Sequence, residues 1–260
     1  MIGQFLSGQA SHYRHVELEH CGSTNAECLN AAESGDPGNL WITALSQSAG
    51  RGSRGRSWIS ETGNLHASLL LLEPCEKRHL PQLTFVAAVA LRNTILDILP
   101  SGDDLKIDLK WPNDVLLNGR KVSGILLEST DKAGIIALTI GIGINCKQYP
   151  TDTLFPATSL AENGCTLELR DVFESLTGHV AGAISQWRAG DNFAAIRNQW
   201  LGHAAGLGKE IKVQLPGQET LVGVFQAIDE HGILLLKTPD GEIKKISVGD
   251  VFFNVSFIEE

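Results

Sequence analysis

Val16 and Leu18 alternate with polar residues in HVELEHC and predict a strand. Behind it, Thr24-x-x-Glu27 has capping-box spacing for a helix, and Gly35, Pro37 and Gly38 stop that helix. LWITALSQ (40–47) and NLHASLLLLEP (64–74) read as two more strands. Pro81 opens a helix through QLTFVAAVALRNTILDIL, apolar at Leu83, Val86, Val89, Ala90 and Ile95. A meander follows. Ile107, Leu109 and Trp111 alternate with polar residues, and Asn118-Gly119 suits a two-residue hairpin turn. KVSGILLE and GIIALTIGIGINC are strands joined around Asp131 to Gly134, and the second is nearly all apolar, as a central buried strand should be. From Leu169, apolar residues at Val172, Phe173, Leu176, Val180, Ile184 and Trp187 form a helical stripe, followed by a shorter helix in NFAAIRNQWL.

The texture changes at GHAAGLGKE. Beyond it lie IKVQLP, LVGVFQAID, GILLLKT and EIKKISVGDVFF, with turns at Pro216-Gly217, Glu230 to Gly232 and Asp240-Gly241. Short alternating strands at this spacing predict a small β-barrel, SH3-like in size. Two domains are therefore expected, 1–205 and 206–260. The larger is α+β, a mixed or antiparallel sheet with helices on one side. The smaller is expected to be needed for full activity but not for folding the body.

A length of 260 residues suits this division, and a hydrophobic content of 43% is ample for a core. No apolar run reaches the length of a membrane span. The N-terminal MIGQFLSGQASHYRH lacks the charged and apolar regions of a secretory leader. Five cysteines, an odd number without CxxC spacing, suit reduced thiols in a cytosol better than a disulfide framework or a zinc site. A formal net charge of -9 argues against general nucleic-acid binding.

Against that acidity, SQSAGRGSRGRSW packs Arg51, Arg54 and Arg56 among Gly50, Gly52 and Gly55. Glycines let backbone N–H groups approach an anion, and arginines supply permanent donors matched to carboxylate or phosphate. The loop is not GxxxxGK[ST], which excludes a Walker loop. A solvated surface loop is the plain alternative, but this one leaves one apolar strand and enters another. Four weaker elements accompany it. KWPND places Lys110, Asn113 and Asp114 around a proline bend, which could be only a bent hairpin with a surface lysine. In GRKVSGILLE, Gly124 can admit a ligand against the strand beside Lys121, itself readable as an exposed strand-start lysine. In GSTN, the hydroxyls of Ser23 and Thr24 need only be helix caps. In GIGIN, Gly143 and Asn145 end a buried strand.

Together and in this order, STN, Q-x-A-G-R-G-x-R-G-R-x-W, KWPND, RK-x-x-G-I-L-x-E, GIGIN and the small C-terminal domain resemble the catalytic half of the biotin protein ligases. The resemblance covers nearly the whole chain. It implies a class II synthetase-like catalytic domain that joins biotin to ATP, releases pyrophosphate and holds biotinyl-5'-adenylate. Biotin then passes to one lysine of a biotin carboxyl carrier protein, as in acetyl-CoA carboxylase. Mg²⁺, a cytoplasmic location and a possible homodimer through edge strands are implied too. By motif position, Ser23, Thr24, Asn25 and Gln47 would bind biotin. Gly50, Arg51, Gly52, Ser53, Arg54 and Arg56 would close over the adenylate, with Trp58 as a wall. Lys121 would meet the biotin carboxyl and α-phosphate oxygens, and Lys110 and Asn113 the nucleotide phosphates. Asp114 would orient a lysine or help the metal, whose ligands the motifs do not assign. Gly124, Ile125, Gly143 and Asn145 would line the pocket.

A basic loop is what such chemistry needs, because joining a carboxylate to ATP brings two anions together in a site that must exclude water. Two features depart from the family pattern. Only about 15 residues precede the first strand, too few for the DNA-binding domain of some members, so no specific DNA binding is expected. Ser53 stands where many members carry arginine. A lipoate or octanoate enzyme of related fold would carry an RR-x-x-GGG loop, absent here. A non-catalytic biotin sensor could dispense with cations that this chain retains, namely Arg51, Arg56, Lys110 and Lys121.

Overall fold

The computed structural model describes residues 12–102, 105–151, 153, 155–217 and 220–253. Most of the stretch read for a leader, and the last residues of the 206–260 unit, lie outside them. The larger sheet has seven strands: β1 (Arg14–Cys21), β2 (Leu40–Gln47), β3 (Leu65–Leu72), β4 (Ile107–Lys110), β5 (Asp114–Leu117), β6 (Arg120–Lys132) and β7 (Ile135–Ile144). Their order is β1-β2-β3-β7-β6-β5-β4, which puts the most apolar strand, β7, at the centre. β1 and β2 are parallel and every other pair is antiparallel. At the β5–β6 turn Asn118 and Gly119 have φ of 50° and 77°, the two positive values that a two-residue hairpin of this twist requires.

Helices cover both faces, not one. α2 (Gln82–Ile98), α3 (Leu169–Trp187) and α4 (Phe193–Leu201) bury Trp41, Leu69, Leu71 and Ile140. α1 (Thr24–Glu33) lies on the opposite face, where Cys28 packs with Ile42, Leu70 and Ala137. Strand parity explains the division: Trp41 and Ile42, or Leu69 and Leu70, are neighbours that point to opposite faces. Because both faces are apolar, the strands do not alternate cleanly, and the sequence alone did not reveal the second layer. The capping box is also absent. Ser23 is the N-cap residue but makes no side-chain cap bond.

The C-terminal unit is a five-stranded antiparallel sheet: β8 (Glu210–Gln214), β9 (Thr220–Ile228), β10 (Leu234–Lys237), β11 (Ile243–Ile246) and β12 (Asp250–Phe253), in the order β11-β10-β9-β8-β12. EIKKISVGDVFF is thus two strands at opposite edges, broken at Ser247–Gly249. This unit shares its core with the body. Phe225, Ile228, Leu234 and Val251 belong to the cluster that contains Phe85, Trp111 and Trp200. The rings of Trp200 and Phe225 lie 6.4 Å apart, and Trp111 Nε1 donates to the Gly232 carbonyl at 3.1 Å. Trp111→Phe should therefore cost about 1–2 kcal/mol, since it strips a buried carbonyl of its donor, and urea unfolding will measure the loss.

Candidate active site

A cavity of about 350 Å³ opens against β6 and β7. The first turn of α1, the end of β2, the basic loop and residues of the 150–157 segment enclose it. At its neutral end, Gln47 Oε1 accepts from Thr24 N at 2.8 Å and Thr24 Oγ1 at 3.1 Å, while Gln47 Nε2 donates to Ser60 Oγ at 2.7 Å. The amide is held in one orientation. Ser68 Oγ lies 2.7 Å from Thr24 Oγ1 and 2.6 Å from Asn25 Oδ1. Asn25 Nδ2 donates to Glu128 Oε2 at 2.8 Å. Thr24 is thereby committed to this network rather than to capping, and Ser23 presents its side chain to the cavity.

The opposite wall is basic. Arg51 pairs with Glu128 at 3.0 Å and Arg56 with Asp250 at 3.1 Å. Arg56 also folds back on Ser53, donating to its carbonyl at 3.2 Å and its hydroxyl at 3.0 Å. The loop is a small hairpin: Arg51 bridges Ser57, and Gly52 N donates to Arg56 O at 2.7 Å. Lys121 reaches the cavity from β6, its Nζ 2.6 Å from Asp114 Oδ1 and 5.4 Å from the centre of the Trp58 ring.

Of the expected site residues, Ser23, Thr24, Asn25, Gln47, Arg51, Gly52, Ser53, Arg56, Trp58, Asn113, Lys121, Gly124, Ile125, Gly143 and Asn145 line the cavity. Two of these also have a structural task. Asn113 Nδ2 donates to Ile125 O at 2.6 Å, and Asn145 Nδ2 to Thr158 O at 3.0 Å. The space over Gly124 is not left bare for a ligand. Gly124 and Gly143 pair across β6 and β7, and the Trp58 indole lies on both; a Cβ on Gly143 would come within 2.4 Å of it.

Four expected residues stand outside the lining. Gly50 turns the chain under the loop, where a Cβ would lie 2.4 Å from Ser60 Oγ. Arg54 points to Asp250 of β12. Asp114 stands behind Lys121. Lys110 is 4% exposed, with Nζ 3.1 Å from the centre of the Phe155 ring, and Phe155 separates it from the cavity it borders. Burial pushes its pKa down to about 8, against the pull of Asp114 and with the push of Lys121.

Lys110→Met provides a test. A lysine whose pKa falls on folding binds its proton more tightly in the unfolded chain. Its cost is full below pH 8 and fades as pH rises toward 10.5. The substitution should stabilise the protein by about 2–3 kcal/mol at pH 7 and by almost nothing near pH 10.5, read from urea curves at the two values.

Sequence reasoning assigned no role to Ser68, Phe155, Asp250 or His66. Glu128 closed the RK-x-x-G-I-L-x-E pattern without a role, although it is the carboxylate that binds both Asn25 and Arg51. His66 lines the cavity as a buried imidazole, its pKa lowered by burial.

Residues 23–145 match the biotin/lipoate A/B protein ligase family, and residues 206–254 match the biotin protein ligase C-terminal domain. The chain is 38% identical over 246 residues to a biotin–[acetyl-CoA-carboxylase] ligase of Paracoccus denitrificans, covering 91% of this chain and 99% of that protein. The chain belongs to the biotin protein ligase family. A ligase of Mycobacterium tuberculosis with the same name is 31% identical, over 95% of this chain and 91% of that protein. The bifunctional ligase/repressor BirA of Bacillus subtilis is 33% identical, and the match covers 88% of this chain and 70% of that protein. Among solved structures, the Aquifex aeolicus biotin protein ligase in complex with biotin and ATP superposes with a TM-score of 0.77. It is 27% identical, with 92% of this chain and 97% of that chain covered. The first family match begins at Ser23 and ends at Asn145, which are also the first and last of the expected site residues.

Proposed function

We propose that this chain activates biotin with ATP to biotinyl-5'-AMP and transfers the biotin to a lysine of a biotin carboxyl carrier protein. The observation that carries the reading is one cavity with two chemically distinct ends. A fixed amide and hydroxyls at Gln47, Thr24 and Ser23 suit a neutral ureido ring. Arg51, Arg56 and Lys121 suit a carboxylate meeting a phosphate. In the first step a biotin carboxylate oxygen attacks the α-phosphorus and pyrophosphate leaves. Lys121 and Arg51 offset the charge that gathers between the two anions. Asp114, 2.6 Å from Lys121 and behind it, fixes that ammonium for this step and for the second, in which the amine's proton passes to the departing phosphate or to solvent. There the carrier amine attacks the acyl carbon, an amide forms and AMP leaves. Trp58, seated on Gly124 and Gly143, forms the wall along which the adenylate lies. Lys110 and Asn113 stay assigned to the nucleotide side, Lys110 only once Phe155 moves off it.

Mg²⁺ enters as part of the ATP substrate. Among the described residues the donor set beside the cavity does not fit a metal held by the chain, because the carboxylates along the basic wall are each committed to a cation, Asp114 to Lys121, Glu128 to Arg51 and Asp250 to Arg56. The division into a 1–205 catalytic unit and a 206–260 unit belongs to the same proposal, as do a cytoplasmic location and a homodimer through edge strands of the larger sheet, where β1 pairs only with β2 among the described residues. No helix among the described residues is long and apolar enough to cross a membrane. Exchange of labelled pyrophosphate into ATP tests the reading. It should depend on biotin and not respond to lipoate or octanoate; exchange driven by lipoate would overturn it.

Ser53 bears on how firmly the intermediate is kept. Its hydroxyl is short and already accepts from Arg56, and Arg54 is held by Asp250, so neither offers the reach of an arginine at this position. Ser53→Arg is expected to slow release of pre-formed adenylate about tenfold, the equivalent of 1.4 kcal/mol, and to reduce biotin incorporation into an inert bystander protein.

A further inference from the structure

The basic loop is tied at both ends of its charge to fixed carboxylates. Arg51 is bound to Glu128 of the main sheet. Arg54 and Arg56 converge on a single carboxylate, Asp250, at the start of β12 in the C-terminal sheet. That carboxylate is only 19% exposed and is a rigid anchor: Asp250 pairs with Gln214 of β8, and the adjacent Val251 is buried in the shared core. Arg54 sits in a left-handed turn, φ 62°, which directs its guanidinium away from the cavity and toward Asp250. With both pairs formed, Arg51, Gly52, Ser53 and Arg56 all face the cavity. The pairs are therefore compatible with a closed loop and do not draw the loop off the site.

We propose that Asp250 is a positioning residue that clasps the basic loop over the cavity through Arg54 and Arg56, and so sets how fast an adenylate escapes. The inference rests on the ligase reading above. It changes the part played by Arg54, which becomes the anchor of the loop while Arg56 and Arg51 remain on the cavity side. It also gives the C-terminal sheet a direct influence on the chemistry, since the residue that holds the loop lies across the boundary from it.

Two measurements on the full chain test this. The first needs no ligand: limited trypsin cleavage after the loop arginines. Asp250→Asn should be cut about tenfold faster than the parent, because an unclasped loop enters the protease more often. The second is the dissociation rate of added biotinyl-5'-AMP. Asp250→Asn and Arg54→Gln should each release it about tenfold faster, which corresponds to 1.4 kcal/mol. Combining them should give no more than Asp250→Asn alone, because both remove the same contact. Asp250→Glu should restore most of the retention, and unfolding midpoints should stay within a few degrees of the parent. Arg54→Gln alters only an exposed loop side chain and keeps the test valid if Asp250→Asn folds poorly. Unchanged cleavage in Asp250→Asn together with unchanged release in both single variants, or additive effects on release in the double, would overturn the clasp. A parent protein that binds no adenylate would overturn the ligase reading instead, and the cleavage assay would still decide whether the clasp exists.

Discussion

A chain ending at Leu201 is expected not to fold. The sequence places a change of texture there and invites the view that the body stands alone. The packing weighs against it. Removing residues beyond Leu201 uncovers Trp111, Trp200 and Phe85, all within the shared core cluster. It also strips β4 of its neighbour, since Leu109 N donates to His203 O at 2.8 Å and its carbonyl accepts from Ala205 N at 2.9 Å. Gln82 Nε2 and Trp111 Nε1 lose their acceptors at Glu230 and Gly232. Each large aromatic left open costs about 2–3 kcal/mol of burial, and each orphaned buried polar group about 1–3 kcal/mol. The sum is comparable to the whole stability of an ordinary domain, about 5–15 kcal/mol. Expression of 1–201, followed by circular dichroism and urea titration, should give an aggregate or a non-cooperative curve. A cooperative transition near the parent midpoint would mean that the two cores are independent after all.

How much was legible depended on whether the information was local. β2 and β3, the β5–β6 hairpin and the central place of β7 follow from short-range signals: an apolar run, an Asn-Gly turn, a strand with scarcely a polar residue. The face on which α1 packs was not legible, because the parity of Ile42 and Leu70 can be read only once both faces of the sheet are known to be covered. EIKKISVGDVFF carries apolar residues along its whole length with no proline or Asn-Gly between them, so the break after Ile246 was hidden until its two halves were seen pairing with β10 and β8. The site behaves similarly. Cations and glycines can be found by type and order. Their counter-charges cannot, because Arg51 meets Glu128 across 77 positions and Arg54 meets Asp250 across 196. Capping failed for a related reason. Thr24 has the right spacing for a cap, yet Gln47 and Ser68, brought in by β2 and β3, offer its hydroxyl tertiary partners that a local rule does not contain.

Lys121→Ala is expected to lower biotin-dependent pyrophosphate exchange about a thousandfold while leaving the fold intact. The fold should survive because the backbone, not the side chain, holds this part of β6: Lys121 N donates to Pro156 O at 2.7 Å, and Lys121 O accepts from Thr158 N at 2.9 Å. Alanine keeps both bonds. The side chain itself is partly open to the cavity, so its loss creates no sealed void. The chemistry should not survive. Lys121 Nζ is the cation that Asp114 holds in place at 2.6 Å, beside the Trp58 wall. A preorganised donor at a developing anion is worth about 2.7–4 kcal/mol, or 10² to 10³ in rate. Removing it also leaves Asp114 without its cation, a negative charge beside two reacting anions, which places the expected loss at the upper end of that range. Lys121→Arg should recover only part of the rate, because a forked guanidinium cannot occupy the position of a single ammonium between Asp114 and the ring. Exchange assays on the three proteins, with thermal midpoints alongside, decide the matter: exchange at the parent rate in Lys121→Ala would remove Lys121 from the reaction and leave Arg51 and Arg56 to neutralise the phosphate alone.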